Sequence, residues 1–442
     1  MAAVMQAEAR SPALESGLRK ARWRLIPLLS VCYLIAFMDR ANISFAAESM
    51  NRDLHFTPKI YGLGAGLFFL TYAACEIPSN RLLLRFGARR WLARIMLTWG
   101  LLAAAMVFVR TPASFYGLRM LLGIAEAGYF PGALFYLSQW FPARERSRSI
   151  SFFYIALPLS GTIMGAAAGV LLRLNGRLGM TGWQWLFLVE GLPAVLLSVV
   201  VWFCLPESPE KAQWLSEPER EALVAELAND PVRRRDAVLH GSGLARALRS
   251  GRAWTISGFL FLTLGSYYAI IFSLPLFLKE LTGLDAGRVG YLVAGFGVSG
   301  ALGMLLVARS SDRRQERRWH IVVPATLMTL ALAVAGLHWS GWVAAVALLV
   351  AFTSYNAMQG PVMGLPNVVL SGEAAAVAIA MLTMCGVMGG FVGPYWIGWM
   401  REATGGYAVG IGALCVPCGL AVVAMLGLMR DIARKEERPS AN

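Results

Sequence analysis

Four side chains in the first third of this sequence could do chemistry where apolar sequence should carry none. Asp39 and Arg40 sit side by side in the apolar run 25-47, and Arg119 and Glu126 lie seven residues apart in another, 113-139. If the first run is a membrane-spanning helix, a rise of about 1.5 Å per residue places Asp39 roughly 21 Å into a hydrocarbon core of about 30 Å. A charge at that depth costs several kcal/mol unless it faces a bundle interior or a water-filled cavity, so it marks a functional site by default. Seven residues are two helical turns, so Arg119 and Glu126 share a face. Their Cα atoms are about 10 Å apart along the axis, too far for the pairing available at four residues, and each needs a partner on another helix.

These types suit ion-coupled transport. Burial disfavours a carboxylate's charge and a neighbouring guanidinium favours it, so a carboxylate in a cavity that opens and closes can gain and lose a proton. A guanidinium stays charged and its planar fork fits a carboxylate, so an organic anion can replace an internal acid as its partner. Asp39 and Glu126 are the expected proton-coupling residues, and Arg40 and Arg119 the expected anion contacts. A purely structural charge network is the competing reading. Glu76 and Glu190 are further acids within apolar runs, expected to be gating or structural charges. The second half has no comparably deep charge. It offers Tyr267, Tyr268, Asn356, Gln359 and Thr383 as shape and hydrogen-bond determinants. The histidines, His55, His240, His320 and His338, fall in loops or at helix ends, away from any buried relay.

The elements that hold these residues follow from composition. Of 442 residues 57% are hydrophobic and 15% charged, with a mean hydropathy of +0.57. Soluble domains carry about 25% charged residues, so this is an all-α polytopic membrane protein. Twelve spans are expected at 25-47, 60-83, 91-109, 113-139, 149-172, 184-205, 254-278, 288-308, 319-337, 341-363, 374-398 and 406-429. They divide into a cytoplasmic tail (1-24), a six-helix bundle (25-205), a linker (206-253), a second bundle (254-429) and a tail (430-442). Met1 to Ser16 is polar and the first apolar run is long enough to span, so no cleavable signal is expected.

The net charge of +14 is distributed as a topology signal, not as a nucleic-acid surface. Of the 40 Lys and Arg, 30 fall on the side that holds the termini, eight on the other, and Arg40 and Arg119 within spans. Excess Lys and Arg stays cytoplasmic, which puts both termini inside. Trp23, in the basic stretch Arg19 to Arg24, is an expected interface anchor. Arg85, Arg89 and Arg90 after the second span recur as Asp312, Arg313, Arg317 and Arg318 after the eighth, and Arg-Arg-Trp opens the next helix both times, 228 residues apart. That recurrence argues for a six-plus-six repeat. In the linker, Ser216 and Glu219 form a capping box for a short amphipathic surface helix.

The six cysteines all lie in apolar runs and are expected to be buried and inert. Cys415-Val-Pro-Cys418 has redox spacing but lacks the βα turn that such a motif needs. Gly295-Phe-Gly297-Val-Ser-Gly300 follows no strand, so helix packing explains it better than a dinucleotide site. Gly161, Gly165 and Gly169, and Gly386, Gly389, Gly390 and Gly393, are spaced for close helix approach. No metal-ligand or nucleophile constellation stands out, and no cofactor beyond the coupling proton is expected.

From about 23 to 430 the chain resembles the major facilitator superfamily, and within it the anion:cation symporter family. The matching segments are Phe37-Met-Asp39-Arg40-Ala-Asn42, Glu76-Ile-Pro-Ser-Asn80, Gly87-Ala-Arg89-Arg90-Trp91, Arg119 with Gly123-Ile-Ala-Glu126-Ala-Gly128 and Pro131-Gly132, Trp183-Gln-Trp185 before Glu190-Gly191, Leu205-Pro-Glu207-Ser208-Pro209, Ser311-Asp312-Arg313-Arg314, and Gly389-Gly390-Phe-Val-Gly393-Pro394. The resemblance implies two six-helix bundles around a central site and proton-driven uptake of a small organic anion such as tartrate, a sugar acid or an aromatic acid. It assigns protonation to Asp39 and Glu126 and substrate contact to Arg40, Arg119 and Tyr72. Leu84 stands where the superfamily's loop has an acid, Met363 where many relatives have tryptophan, and Thr383 and Val387 where asparagines are expected. A multi-pass monomer in the cell inner membrane is the expectation. A uniporter or exporter of another solute is the alternative, and a membrane sensor a more distant one.

Overall fold

The computed structural model describes residues 11–154, 156–229, 242–314, 316–337, 340–370 and 372–436, and every regular element among them is helical. The first half comprises α1 (Pro12–Leu54), α2 (Pro58–Phe86), α3 (Ala88–Ala105), α4 (Pro112–Glu126), α5 (Tyr129–Trp140), α6 (Ala143–Tyr154), α7 (Ala156–Leu171) and α8 (Gly182–Cys204). The linker carries α9 (Glu217–Ala228) and α10 (Ser242–Leu248). The second half comprises α11 (Gly251–Thr282), α12 (Ala286–Arg314), α13 (Arg318–Gly336), α14 (Gly341–Met363), α15 (Pro366–Val369), α16 (Gly372–Thr404), α17 (Ala408–Ala413) and α18 (Cys415–Glu436). Helix starts are written locally. Ser11, Thr57, Thr111, Ser250 and Ser340 each accept a hydrogen bond from an amide of the first turn, and proline follows the first three.

Among the described residues eleven helices are long and apolar enough to cross a membrane. The expected fifth span, 149-172, is instead divided between α6 and α7, and its apolar part, Leu159–Leu174, is shorter. The expected fourth span is among the eleven as Pro112–Trp140, but it is broken within. It ends as α4 at Glu126 and restarts as α5 at Tyr129, because Gly128 adopts φ +88°. A Cβ there would sit 2.3 Å from Ser79 Oγ, so the break is sterically reserved for glycine. The buried thiols are likewise only partly so: Cys32 and Cys418 are buried, but Cys204 is exposed.

Buried apolar side chains gather into two cores. One runs from Leu14 to Leu227 and includes Tyr268 and Phe272, and the other from Ile256 to Met429. The halves touch backbone to backbone at the ends remote from the termini. A Cβ on Gly62 of α2 would lie 2.4 Å from Pro394 O of α16, and one on Gly165 of α7 would lie 2.6 Å from Gly290 O of α12. At the same end Tyr61 Oη donates to Phe272 O at 2.8 Å, and Lys279 pairs with Glu48 beside a cavity of about 430 Å³. Gly161 and Gly295, by contrast, face open space and join no helices.

The amino-terminal segment is not a loose tail. α1 starts at Pro12 and runs 43 residues, about 64 Å at 1.5 Å per residue, so it overshoots a 30 Å core by a long arm. Trp23 on that arm is 75% exposed, as an interface anchor requires. The linker helix α9 docks on the arm instead of lying free on a surface. Leu223 and Leu227 are buried, and Glu219 accepts from Ser16 Oγ and Lys20 Nζ, both at 2.7 Å. Trp214 stacks on Trp140 and receives Arg24 over its ring, which joins linker, arm and α5.

The Lys20 ammonium, against some desolvation and with help from Ser216 and Ser16, holds the Glu219 carboxyl down to about 2 from an ordinary 4.5. A depressed carboxyl stabilises docking fully above pH 4.5, and that contribution drains away as pH falls toward 2. Glu219→Gln should therefore speed amide hydrogen exchange in α9 about tenfold at neutral pH, and remove its acid sensitivity below pH 4.5. Unchanged exchange would mean that Leu223 and Leu227 hold the helix without the ion pair.

Candidate functional site

Asp39 and Arg40 are adjacent on α1, and successive helical residues point about 100° apart. The pair accordingly divides. Arg40 reaches α4, where its Nη2 and Nε lie 2.6 and 2.8 Å from Glu126 Oε1. The guanidinium packs over the rings of Phe37, Tyr72 and Phe68, with centroids 5.0, 4.9 and 5.5 Å away. Arg40 keeps 13% of its side chain exposed and Glu126 only 1%, and Glu126 Oε2 is buried without a partner. The Glu126 carboxylate thus occupies one edge of an arginine fork whose aromatic surroundings leave it charged and poorly hydrated.

Asp39 turns the other way. Its Oδ2 accepts from Trp99 Nε1 of α3 at 2.9 Å and its Oδ1 from Asn42 Nδ2 at 3.0 Å. Glu190 of α8 is buried beside this group and close to Asn42, and among the described residues neither of its oxygens nor Asn42 Oδ1 has a hydrogen bond of good geometry. Trp99 was not singled out by sequence. The available signal was an indole N–H in a buried span, which must find an acceptor.

Arg119 is 2% exposed and spends donors on backbone, Nε to Gly64 O at 3.2 Å and Nη2 to Ala65 O at 3.3 Å. Its guanidinium lies 4.9 Å from the centre of the Phe68 ring. Arg119 and Glu126 therefore do not bond to each other: one grips α2 and the other α1. Phe68 lies under both arginines, so the two cations share a ring, and both also lie close enough to Asp39 and Glu126 to interact with them electrostatically.

The second half approaches through rings. Tyr268 of α11 packs on Phe69 of α2 at 4.4 Å between centroids, and the Tyr72 and Tyr268 phenols face Arg40. Tyr267 stacks on Tyr355 at 4.1 Å. Asn356 Nδ2 donates to Phe352 O of its own helix, and Thr383 Oγ1 to Ile379 O of its own. Gln359 is half-buried and makes no hydrogen bond among the described residues. The structure thus gathers Arg40, Glu126, Tyr72 and Tyr268, leaves Asn356 and Thr383 bonded within their helices, and places Asp39 on the Trp99 side of the same charge cluster.

The remaining charges lie on the side of the termini. Glu76 is half-buried, and Arg85 and Arg90 are exposed. Arg89 Nε is 3.5 Å from Glu207 Oε2, and Gly87, at φ +87°, leaves room for that carboxylate. The acid missing at Leu84 is therefore supplied by Glu207 from the start of the linker. Arg313 is exposed, and the Asp312 side chain lies outside the described residues.

Comparison with known proteins adds four findings. A family model described as Major Facilitator Superfamily matches residues 29–394. A protein of Agrobacterium vitis named "Putative tartrate transporter" is 41% identical over 92% of this chain and 93% of its own. A protein of Acinetobacter baumannii named "Quinolone resistance transporter" is 37% identical over 93% of each. In fold, the chain is similar to a bacterial homologue of the human lysosomal transporter Spinster, solved inward-facing and unoccupied, with a TM-score of 0.80, 17% identity, and coverage of 95% and 99%.

The Asp39 anchorage has a measurable worth. Trp99→Phe keeps the ring but removes one of two donors to a buried carboxylate, which should cost about 1–3 kcal/mol and lower the melting temperature. An unchanged melting temperature would show that Asp39 does not depend on the indole.

Proposed function

The chain belongs to the major facilitator superfamily and is a multi-pass membrane transporter, and from that membership we propose that it carries a small organic anion into the cell together with a proton. The observation that carries this reading is the Arg40–Glu126 pair. Glu126 is an internal carboxylate on the fork that a substrate carboxylate would use. A proton arriving on Glu126 neutralises it and frees Arg40 for the anion. When substrate leaves, Glu126 releases the proton and reclaims the guanidinium. Across the cycle Arg40 exchanges one anion for another, and the ring faces of Phe37, Phe68 and Tyr72 hold its charge between the two.

Asp39 serves as a second proton site, held by Trp99 and Asn42, and Arg119 braces α4 against α2. Tyr72 and Tyr268 border the anion. The halves are joined at the end remote from the termini, which corresponds to a state closed on that side. The excess of Lys and Arg on the terminal side supports cytoplasmic termini and an inner-membrane location, so the closed end faces outward and the site empties inward. The protein acts as a monomer. The name of the Agrobacterium vitis relative supports an anionic cargo. The Acinetobacter baumannii relative favours a second reading, proton-driven export of a larger solute through the same site.

Proteoliposomes with an imposed pH gradient test the coupling. Glu126→Gln should abolish gradient-driven accumulation of a carboxylate while keeping its exchange across the membrane, because a neutral amide leaves Arg40 permanently free. Normal accumulation by this variant would overturn the assignment. Arg40→Lys keeps the charge but loses the two-pronged geometry, and should raise the apparent KM for a carboxylate at least about tenfold. Accumulation only in inside-out vesicles would select export.

A further inference from the structure

Resting on the reading of Arg40 as the anion's partner, we infer that the carboxylate this site accepts is carried on an aromatic ring, and that polyhydroxylated acids such as tartrate or sugar acids are poor cargo. The surroundings of Arg40 are faces of rings. Phe37, Phe68 and Tyr72 flank the guanidinium, and Phe69 and Tyr268 meet across the halves at 4.4 Å. Behind them Tyr267 and Tyr355 form a stacked pair 4.1 Å apart, at an interplanar angle of 22°. An aryl carboxylate is flat, so its charged end can lie in the plane of the Arg40 fork while its ring slides among these faces.

Most polar groups within reach are already engaged, half-buried Gln359 excepted. The Tyr72 and Tyr268 phenols turn to Arg40 and the Tyr267 phenol to Asn356. Asn356 and Thr383 donate inside their own helices. Tyr355 Oη alone of these groups is buried without a partner, which provides for one ring substituent. Tartrate brings two hydroxyls and a second carboxylate, and a sugar acid more hydroxyls. Each group desolvated without a partner weakens binding by about tenfold or more. The resident charges give no second cation for a dicarboxylate either, since Arg119 is bonded to backbone and buried.

The test measures binding and exchange by purified protein in liposomes, with benzoate and 4-hydroxybenzoate as aryl probes, cyclohexanecarboxylate as a non-aromatic match in size, and tartrate and gluconate as polyhydroxylated probes. The expected result is at least tenfold tighter binding of both aryl acids than of tartrate or gluconate, with cyclohexanecarboxylate weaker than benzoate. Tyr267→Leu should weaken benzoate by about tenfold, and Tyr267→Phe should restore it, which distinguishes a lost ring from a misfolded protein. Tartrate or gluconate binding as tightly as benzoate would overturn the inference and leave anion transport standing. Binding of none of these carboxylates would overturn the anion reading itself, and this inference with it.

Discussion

A guanidinium inside a membrane must find anions or hydrogen-bond acceptors within the protein, because it cannot discharge itself and hydrocarbon cannot solvate it. Much of the first half is arranged around that constraint. Arg40 takes Glu126, and Arg119, with no carboxylate bonded to it, takes two carbonyls from α2. The carboxylate left over, Asp39, is satisfied by neutral donors on α3 and on its own helix. Even the rupture of α4 serves the pairing, since Glu126 is its last residue and Gly128 redirects the chain immediately after. The second core has no such requirement: no charged residue described in it is buried, and its interior is built from rings, alanines and aliphatic side chains, with buried hydroxyls such as Thr263 and Ser273 bonded to their own helices.

The fold class could be read from apolar run lengths and from the distribution of basic residues, because both express the cost of moving backbone and charge across lipid. The deep charges were legible for the same reason. Their pairing was not. That Arg40 would choose Glu126, 86 positions away, and that Arg119 would choose backbone, depends on how α1, α2 and α4 cross, which residue types do not state. Helix periodicity suggested that Arg119 and Glu126 faced one space, but it could not show that two other helices enter between their reaches.

Other differences have similar causes. The break at Gly128 reads in sequence as one more glycine in a helix rich in them, and only Ser79 beside it makes the position special. The amino-terminal arm reads as a polar tail, yet Ser11, Pro12 and a partner helix in the linker convert it into a continuation of α1. Glu207 was visible as part of a motif, but its role opposite Arg89 follows only from the folding of the linker's start back onto the α2–α3 turn.

The one-sided placement of charge also bears on how such a protein can diversify. The buried acids and the guanidiniums they face lie on α1, α4 and α8, whereas Tyr268 of α11 packs on Phe69 of α2 and Tyr267 of α11 stacks on Tyr355 of α14. On the proposed mechanism, substitutions in α11 and α14 would change what is carried without touching the charged residues of the first half. Chimaeras that join this first half to a relative's second half would exploit the same separation in the laboratory.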